Sequence, residues 1–265
     1  MNAELTHGSN RLLIVKDVSL KFGGVHALTD VSFDVFAHEV CSIIGPNGAG
    51  KSSMLNVLNG VYRPQEGTIS LNGVEKRRWS PQEVAKEGIA RTFQNIALFK
   101  GMTVLENIQT GRCLMNKASV LSQAFRLAKS RREDDESREK AEELLEFLEI
   151  QAIRKTSVGQ LSYGLQKRVE LGRALAAEPK CLLLDEPMAG MSPDEKQDMT
   201  RFILQAKEAY GMTVVLIEHD LGVVMDISDH VIVLDYGIKI ADGIPEEIKR
   251  DQKVIDAYVG KNTDI

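Results

Sequence analysis

The sequence predicts an α/β fold interrupted by a helical insertion, and three observations carry that prediction. Runs of β-formers cluster before residue 95 and return after residue 180; a glycine-rich turn joins an apolar strand to a helix; and the stretch from about Met102 to Gly159 becomes rich in Glu, Lys, Arg and Leu. At 265 residues and 43% hydrophobic, the chain can bury a sizeable core.

Taken in order, "LLIVKDVSLKF" (Leu12–Phe22) and "VSFDVF" (Val31–Phe36) predict antiparallel strands, and "EVCSII" (Glu39–Ile44) a buried one. The helix expected after Lys51 shows Met54, Leu55 and Leu58 on one face and stops at Gly60. Strands are expected at "GTISL" and "GIARTF". In the middle block "SREKAEELLEFLEI" predicts a helix whose apolar face is Ala141, Leu144, Leu145 and Leu148, and the charge run "KSRREDDESREK" reads as a solvated face. Strands at "CLLLD", "TVVLIEH" and "HVIVLD" then restore the α/β texture.

Composition narrows the function. A net charge of −5, from 38 acidic and 33 basic residues mixed along the chain, implies no basic face for nucleic acid or for a membrane surface. The first ten residues lack the features of a signal peptide, and no apolar stretch approaches the ~20 residues of a membrane helix. Cys41, Cys113 and Cys181 are widely spaced and are read as reduced packing residues of a cytosolic protein, not as metal or redox groups.

The glycine turn carries the chemistry. Gly45, Pro46, Asn47, Gly48, Ala49, Gly50, Lys51 and Ser52 fit G-x-x-x-x-G-K-[ST] between a strand and a helix, with Ser53 next. Such a loop turns successive N–H groups toward phosphate oxygens, Lys51 reaches the β- and γ-phosphates, and the Ser52 hydroxyl ligates Mg²⁺. A second apolar strand ends in adjacent acids: Asp185, placed to join the Mg²⁺ shell, and Glu186, placed to polarise a water. The N-K-x-D base-reading pattern expected of a GTPase is absent.

"LSYGLQKRVELGRALAAEPKCLLLDEP" resembles the signature segment, helix and magnesium strand of the ATP-binding cassette (ABC) ATPases. Leu161, Ser162 and Gly164 match the usual L-S-G-G-Q, whereas Tyr163 replaces its first glycine and Leu165 its glutamine, with Gln166 following. The resemblance implies that Ser162 and Gly164 complete the ATP site of an opposing subunit. It also implies that Gln94 in "RTFQN" reaches Mg²⁺ and the water, that "AGMSPDE" (Ala189–Glu195) crosses the dimer seam, and that His219 contacts the γ-phosphate. Phe22 stands where the family stacks an aromatic on adenine, core packing being the competing role.

Together with "GIARTFQNIALFKGMTVLENI", "IEHDLGVVMDISDHVIVLDYG" and the ending "GIPEEIKRDQKVIDAYVG", these stretches look like the ATPase subunits of branched-chain amino-acid uptake systems. Relatives importing urea, amides or other amino acids share the pattern, and a soluble ABC ATPase acting on DNA or ribosomes is the alternative of another class.

The fold expected is thus an ABC ATPase: an α/β core over residues 1–95 and 164–265, an N-terminal antiparallel β portion, and a helical subdomain over 96–163. The resemblance implies ATP and Mg²⁺ as cofactors and membrane permease subunits as partners. It also implies a second ATP-binding subunit, identical or a sister chain, and indirectly an extracytoplasmic solute-binding protein. The place implied is the cytoplasmic face of the inner or plasma membrane, held through the permease. The apolar loop around Phe99 and Met102 either packs inward or, as the resemblance implies, lines a groove for a permease helix.

Overall fold

The structure, a computed structural model, describes residues 10–92, 96–113 and 128–259, with the side chains of 128–132 excepted. Its first elements are strands β1 (Arg11–Phe22), β2 (Val25–Phe36) and β3 (Val40–Ile44), helix α1 (Lys51–Leu58), strands β4 (Glu66–Leu71) and β5 (Val74–Lys76), and helix α2 (Pro81–Lys86). There follow β6 (Ile89–Arg91), α3 (Val104–Thr110), α4 (Ala128–Phe147), α5 (Tyr163–Leu175), β7 (Cys181–Asp185) and α6 (Pro193–Tyr210). The chain closes with β8 (Thr213–Ile217), α7 (Leu221–Ile227), β9 (His230–Asp235), β10 (Ile238–Gly243), α8 (Pro245–Ile248) and α9 (Gln252–Val259).

The chain divides into two compact units, Met1–Glu87 with Gly211–Ile265, and Gly88–Tyr210. In the first, an antiparallel sheet of order β2-β1-β4-β5 buries Leu13, Val15, Val18 and Leu20 with Leu28, Val31, Phe33 and Val35. β2 begins at Val25, earlier than its alternation suggests, because register shifts on either side of Val18 and Asp30 at φ 49° break the period of two. Strand β3 runs parallel to both β8 and β9, and every one of its residues is buried. Burial of successive residues, which point to opposite faces, explains a nearly continuous apolar run where a half-exposed strand would alternate.

In the second unit, β6 and β7 pair in parallel, while α4 buries Ala141, Leu144 and Leu145, with buried Leu148 just beyond its end. Gly172 lets α5 come close: a Cβ there would stand 2.8 Å from Leu148 Cδ1 and 3.2 Å from Ile108 Cδ1. The expected subdomain span 96–163 lies inside this unit, which also carries β6, β7 and α6. One expectation needs correction: Cys41 and Cys181 are buried, but Cys113, in the turn after α3, is exposed and packs no core.

Candidate functional site

In the first unit, fully buried β3 delivers the chain into the glycine loop. Gly45 (φ 149°) lies so close to the Leu234 carbonyl that a Cβ would collide with it, and one on Gly50 (φ 100°) would come 2.6 Å from the Ala27 carbonyl oxygen. Those two glycines seat the loop against its neighbours. Gly48 (φ 80°) is different, since a Cβ there would meet nothing within 4 Å. The loop is further fixed by Ala49 N–H donating to Pro46 O at 3.1 Å and Gly237 N–H donating to Ala49 O at 3.0 Å. From α9 the hydroxyl of Tyr258, its pKa pushed up to about 12 by burial, is hydrogen-bonded to the Gly45 backbone.

Helix α1 starts against the usual rules. Its N-cap is Gly50 with no side-chain hydrogen bond, its first turn holds no acid, and its first residue is Lys51, a cation at the positive end of the helix. An anion resolves that arrangement, because it meets first-turn N–H groups and the ammonium together. Lys51 is buried, and its Nζ donates to Gly45 O (2.7 Å) and Pro46 O (3.0 Å), so it already lies across the loop; Ser52 is exposed. The residues fit a triphosphate. His219 is exposed just past β8, and its N–H donates to Glu218 Oε2 at 3.1 Å. Phe22, 46% exposed, meets Tyr62 edge-on with ring centroids 5.0 Å apart, so core packing does not account for it.

In the second unit, β7 ends on Asp185, whose Oδ2 accepts from Arg91 Nη2 at 2.8 Å, with both side chains buried. Its Oδ1 is buried and has no hydrogen-bond partner among the described residues, an acceptor that a cation would satisfy. Glu186 follows at φ 48°, a left-handed conformation uncommon for a residue with a Cβ, and partly exposed.

Ser162 caps α5, its Oγ accepting from Leu165 N–H at 3.4 Å, and is exposed. Gly164 is buried under Glu195, where a Cβ would collide with Glu195 Oε1, and Glu195 Oε2 in turn accepts from Ser192 N–H at 2.9 Å. The signature start and the Ala189–Glu195 loop therefore brace one another. Tyr163 fills the neighbouring position, 3.3 Å from where a Gly190 Cβ would stand, and Gln166 Nε2 turns back to Leu161 O at 2.9 Å. Gln166 is thereby engaged locally. Gln94 lies outside the described residues; just after it, Ala97 is held from α5 by Glu170 and Arg173.

The apolar loop sorts cleanly. Leu98 and Val104 are buried, whereas Phe99 is 54% and Met102 39% exposed, so the loop does not pack wholly inward. Its shape comes from buried Asn107, which accepts from Phe99 N–H at 2.8 Å and donates to Phe99 O at 3.1 Å and Thr103 O at 3.0 Å. Sequence reasoning passed over Asn107 and Arg91. Asn107 is one of two amides in a short mixed helix, and Arg91 is a cation ending a short strand, so neither stood out.

A family model described as "ABC transporter" matches residues 28–189, and one described as "Branched-chain amino acid ATP-binding cassette transporter" matches 239–263. The chain belongs to the ABC transporter ATP-binding family. This cassette is 39% identical over 96% of its length, and 99% of the relative's, to the high-affinity branched-chain amino acid transport ATP-binding protein BraF of Pseudomonas aeruginosa. It is 36% identical, with the same coverage, to the high-affinity branched-chain amino acid transport ATP-binding protein LivG of Escherichia coli K12. Among solved structures, the ADP conformation of an ATP-binding cassette of an ABC transporter matches with a TM-score of 0.81 and 36% identity, covering 94% of this chain and 99% of that one. A dimeric post-hydrolysis cassette bound to ADP and Pi matches with a TM-score of 0.75 and 26% identity, over 88% of this chain and 98% of that one. The cassette is an ATP-binding protein of mixed α/β fold, and no helix among its described residues is long and apolar enough to cross a membrane.

Proposed function

We propose that this cassette hydrolyses ATP to power uptake of branched-chain amino acids through a separate permease, held at the cytoplasmic face of the membrane by that permease. The observation that carries the chemistry is the start of α1, a helix opened by glycine and lysine with neither cap nor acid, which only a bound anion rationalises. The substrate reading rests on the BraF and LivG relatives and on the matching C-terminal segment. An extracytoplasmic solute-binding protein would deliver the amino acid to the permease.

In this mechanism the loop N–H groups and Lys51 bind and orient the phosphates, and Phe22 stacks on the base. Ser52, Asp185 and Gln94 would hold Mg²⁺, which when bound offsets charge on the phosphate oxygens. Arg91 keeps Asp185 Oδ2 occupied, leaving Oδ1 for that cation. Glu186 takes the proton of the attacking water, and His219 and Gln94 orient the reacting groups. Ser162 and Gly164 of a second ATP-binding subunit close over the γ-phosphate, and hydrolysis lets the pair reopen. Phe99 and Met102 form the permease-facing surface, joined through Leu98 and Ala97 to the segment containing Gln94.

The test is uptake in cells carrying the permease and binding protein with either the natural chain or Glu186→Gln. Labelled leucine should accumulate only with the natural chain. Uptake of urea or an amide in place of leucine would move the substrate class, and unimpaired uptake with Glu186→Gln would remove the catalytic assignment.

A further inference from the structure

A cluster away from the glycine loop has metal-ligating chemistry that nucleotide binding does not use. Parallel pairing sets Cys41 of β3 directly beside His230 of β9, and Glu39 stands just before β3. One ligand atom from each of Glu39, Cys41 and His230 lies within 4.8 Å of the other two, with Glu39 and Cys41 buried.

Glu39 Oε1 and His230 Nδ1 are 3.3 Å apart, a long hydrogen bond, and Glu39 Oε1 also accepts from Phe36 N–H at 2.9 Å. Two atoms bound at ~2.0–2.1 Å to one tetrahedral zinc ion stand about 3.3 Å apart. On the far side of the ring, His230 Nε2 lies 2.6 Å from Asp242 Oδ1, while Lys239 Nζ holds Asp242 Oδ2 at 2.5 Å. A carboxylate fixing one imidazole N–H so that the other nitrogen faces a metal is the usual support of a histidine ligand. A surface cavity of about 460 Å³ reaches His230 and Asp242, which line it with Phe36 and Lys239 among others.

We propose that Glu39, Cys41 and His230 form a zinc-type metal site, with water in the fourth position and Asp242 orienting the imidazole. Without metal the same groups are an ion-pair cluster. Metal uptake breaks the Cys41 S–H bond and displaces any proton on His230 Nδ1, sends these protons to solvent, and forms metal–sulfur and metal–nitrogen bonds. An occupied site ties the strand that leads into Gly45 to its parallel neighbour.

The test uses the full chain, stripped with a chelator and titrated with Co²⁺ as the spectroscopic probe. A thiolate-to-cobalt charge-transfer band should saturate at about one equivalent and be displaced by Zn²⁺, which should also raise the thermal midpoint. Cys113→Ser should keep the band. His230→Arg retains a cation between Asp242 and Glu39, so it should fold, bind ATP as the natural chain does, and show no band. Asp242→Asn should weaken metal binding by about 10–100-fold. The site is overturned if the folded natural chain gives no band with excess Co²⁺, or if the band survives in His230→Arg.

Discussion

The two units solve the same problem, presenting polar groups to a charged ligand, by different means. The glycine loop is a backbone device, in which φ values open to glycine and a helix start create the binding groups, and most of its contacts are with main chain. The Asp185–Glu186 strand end is a side-chain device. Buried Arg91 occupies one oxygen of Asp185, the second has no hydrogen-bond partner among the described residues, and Glu186 follows in a left-handed backbone conformation. The first unit thus builds its polar groups from local chain geometry, whereas the second builds them on a long-range buried ion pair.

Within the loop, the glycines should separate by role. Gly45→Ala drives a Cβ into the Leu234 carbonyl and should cost more than about 4 kcal/mol, measured by chemical denaturation. Gly48→Ala has room for its Cβ and should cost only about 1–2 kcal/mol of left-handed strain, while weakening ATP binding if the open side of the loop receives the phosphates, as proposed. Equal stability losses at the two positions would erase the distinction between seating and cradling.

In the second unit, Arg91→Met should destabilise by about 3–5 kcal/mol, since it leaves a buried carboxylate uncompensated. Added Mg²⁺ should recover part of that loss, and denaturation curves with and without Mg²⁺ report it. Insensitivity to Mg²⁺ would argue against Asp185 as a cation ligand. Asn107→Leu should cost less, about 1–3 kcal/mol, by stranding the Phe99 N–H. Permease assembly, followed by co-purification, should fall with it. The smallest effect is expected at exposed Phe22: replacement by Ala should weaken ATP by about two- to tenfold in calorimetry and leave stability unchanged.

The same division explains what could be read from the sequence. Strands such as "CLLLD" and the glycine loop were legible because periodicity and backbone requirements are local. The partner of Asp185 was not, because Arg91 lies on a different strand and nothing in "GIAR" marks its ion pair. Helix α2 escaped notice although Ser80, Pro81 and Glu83 spell a capping box that the structure forms. Strand β10 follows β9 after a tight turn at Tyr236 and Gly237, and its residues are mostly half-exposed, so it lacks a clean apolar alternation. The signature segment was legible by pattern, but the use of Gln166 on Leu161 O and the bracing of Gly164 by Glu195 are tertiary facts.

The most direct measurement is a paired Mg-ATP calorimetric titration of Lys51→Ala and Glu186→Gln beside the natural chain. If binding rests on the first unit's loop and chemistry on the second unit's acid, Lys51→Ala should lose at least about tenfold in affinity, a change of roughly 1.4 kcal/mol. Glu186→Gln should bind within about twofold of the natural chain even though its turnover falls by about 10²–10⁴-fold. Unchanged affinity in Lys51→Ala, or a comparable loss in both variants, would contradict that division.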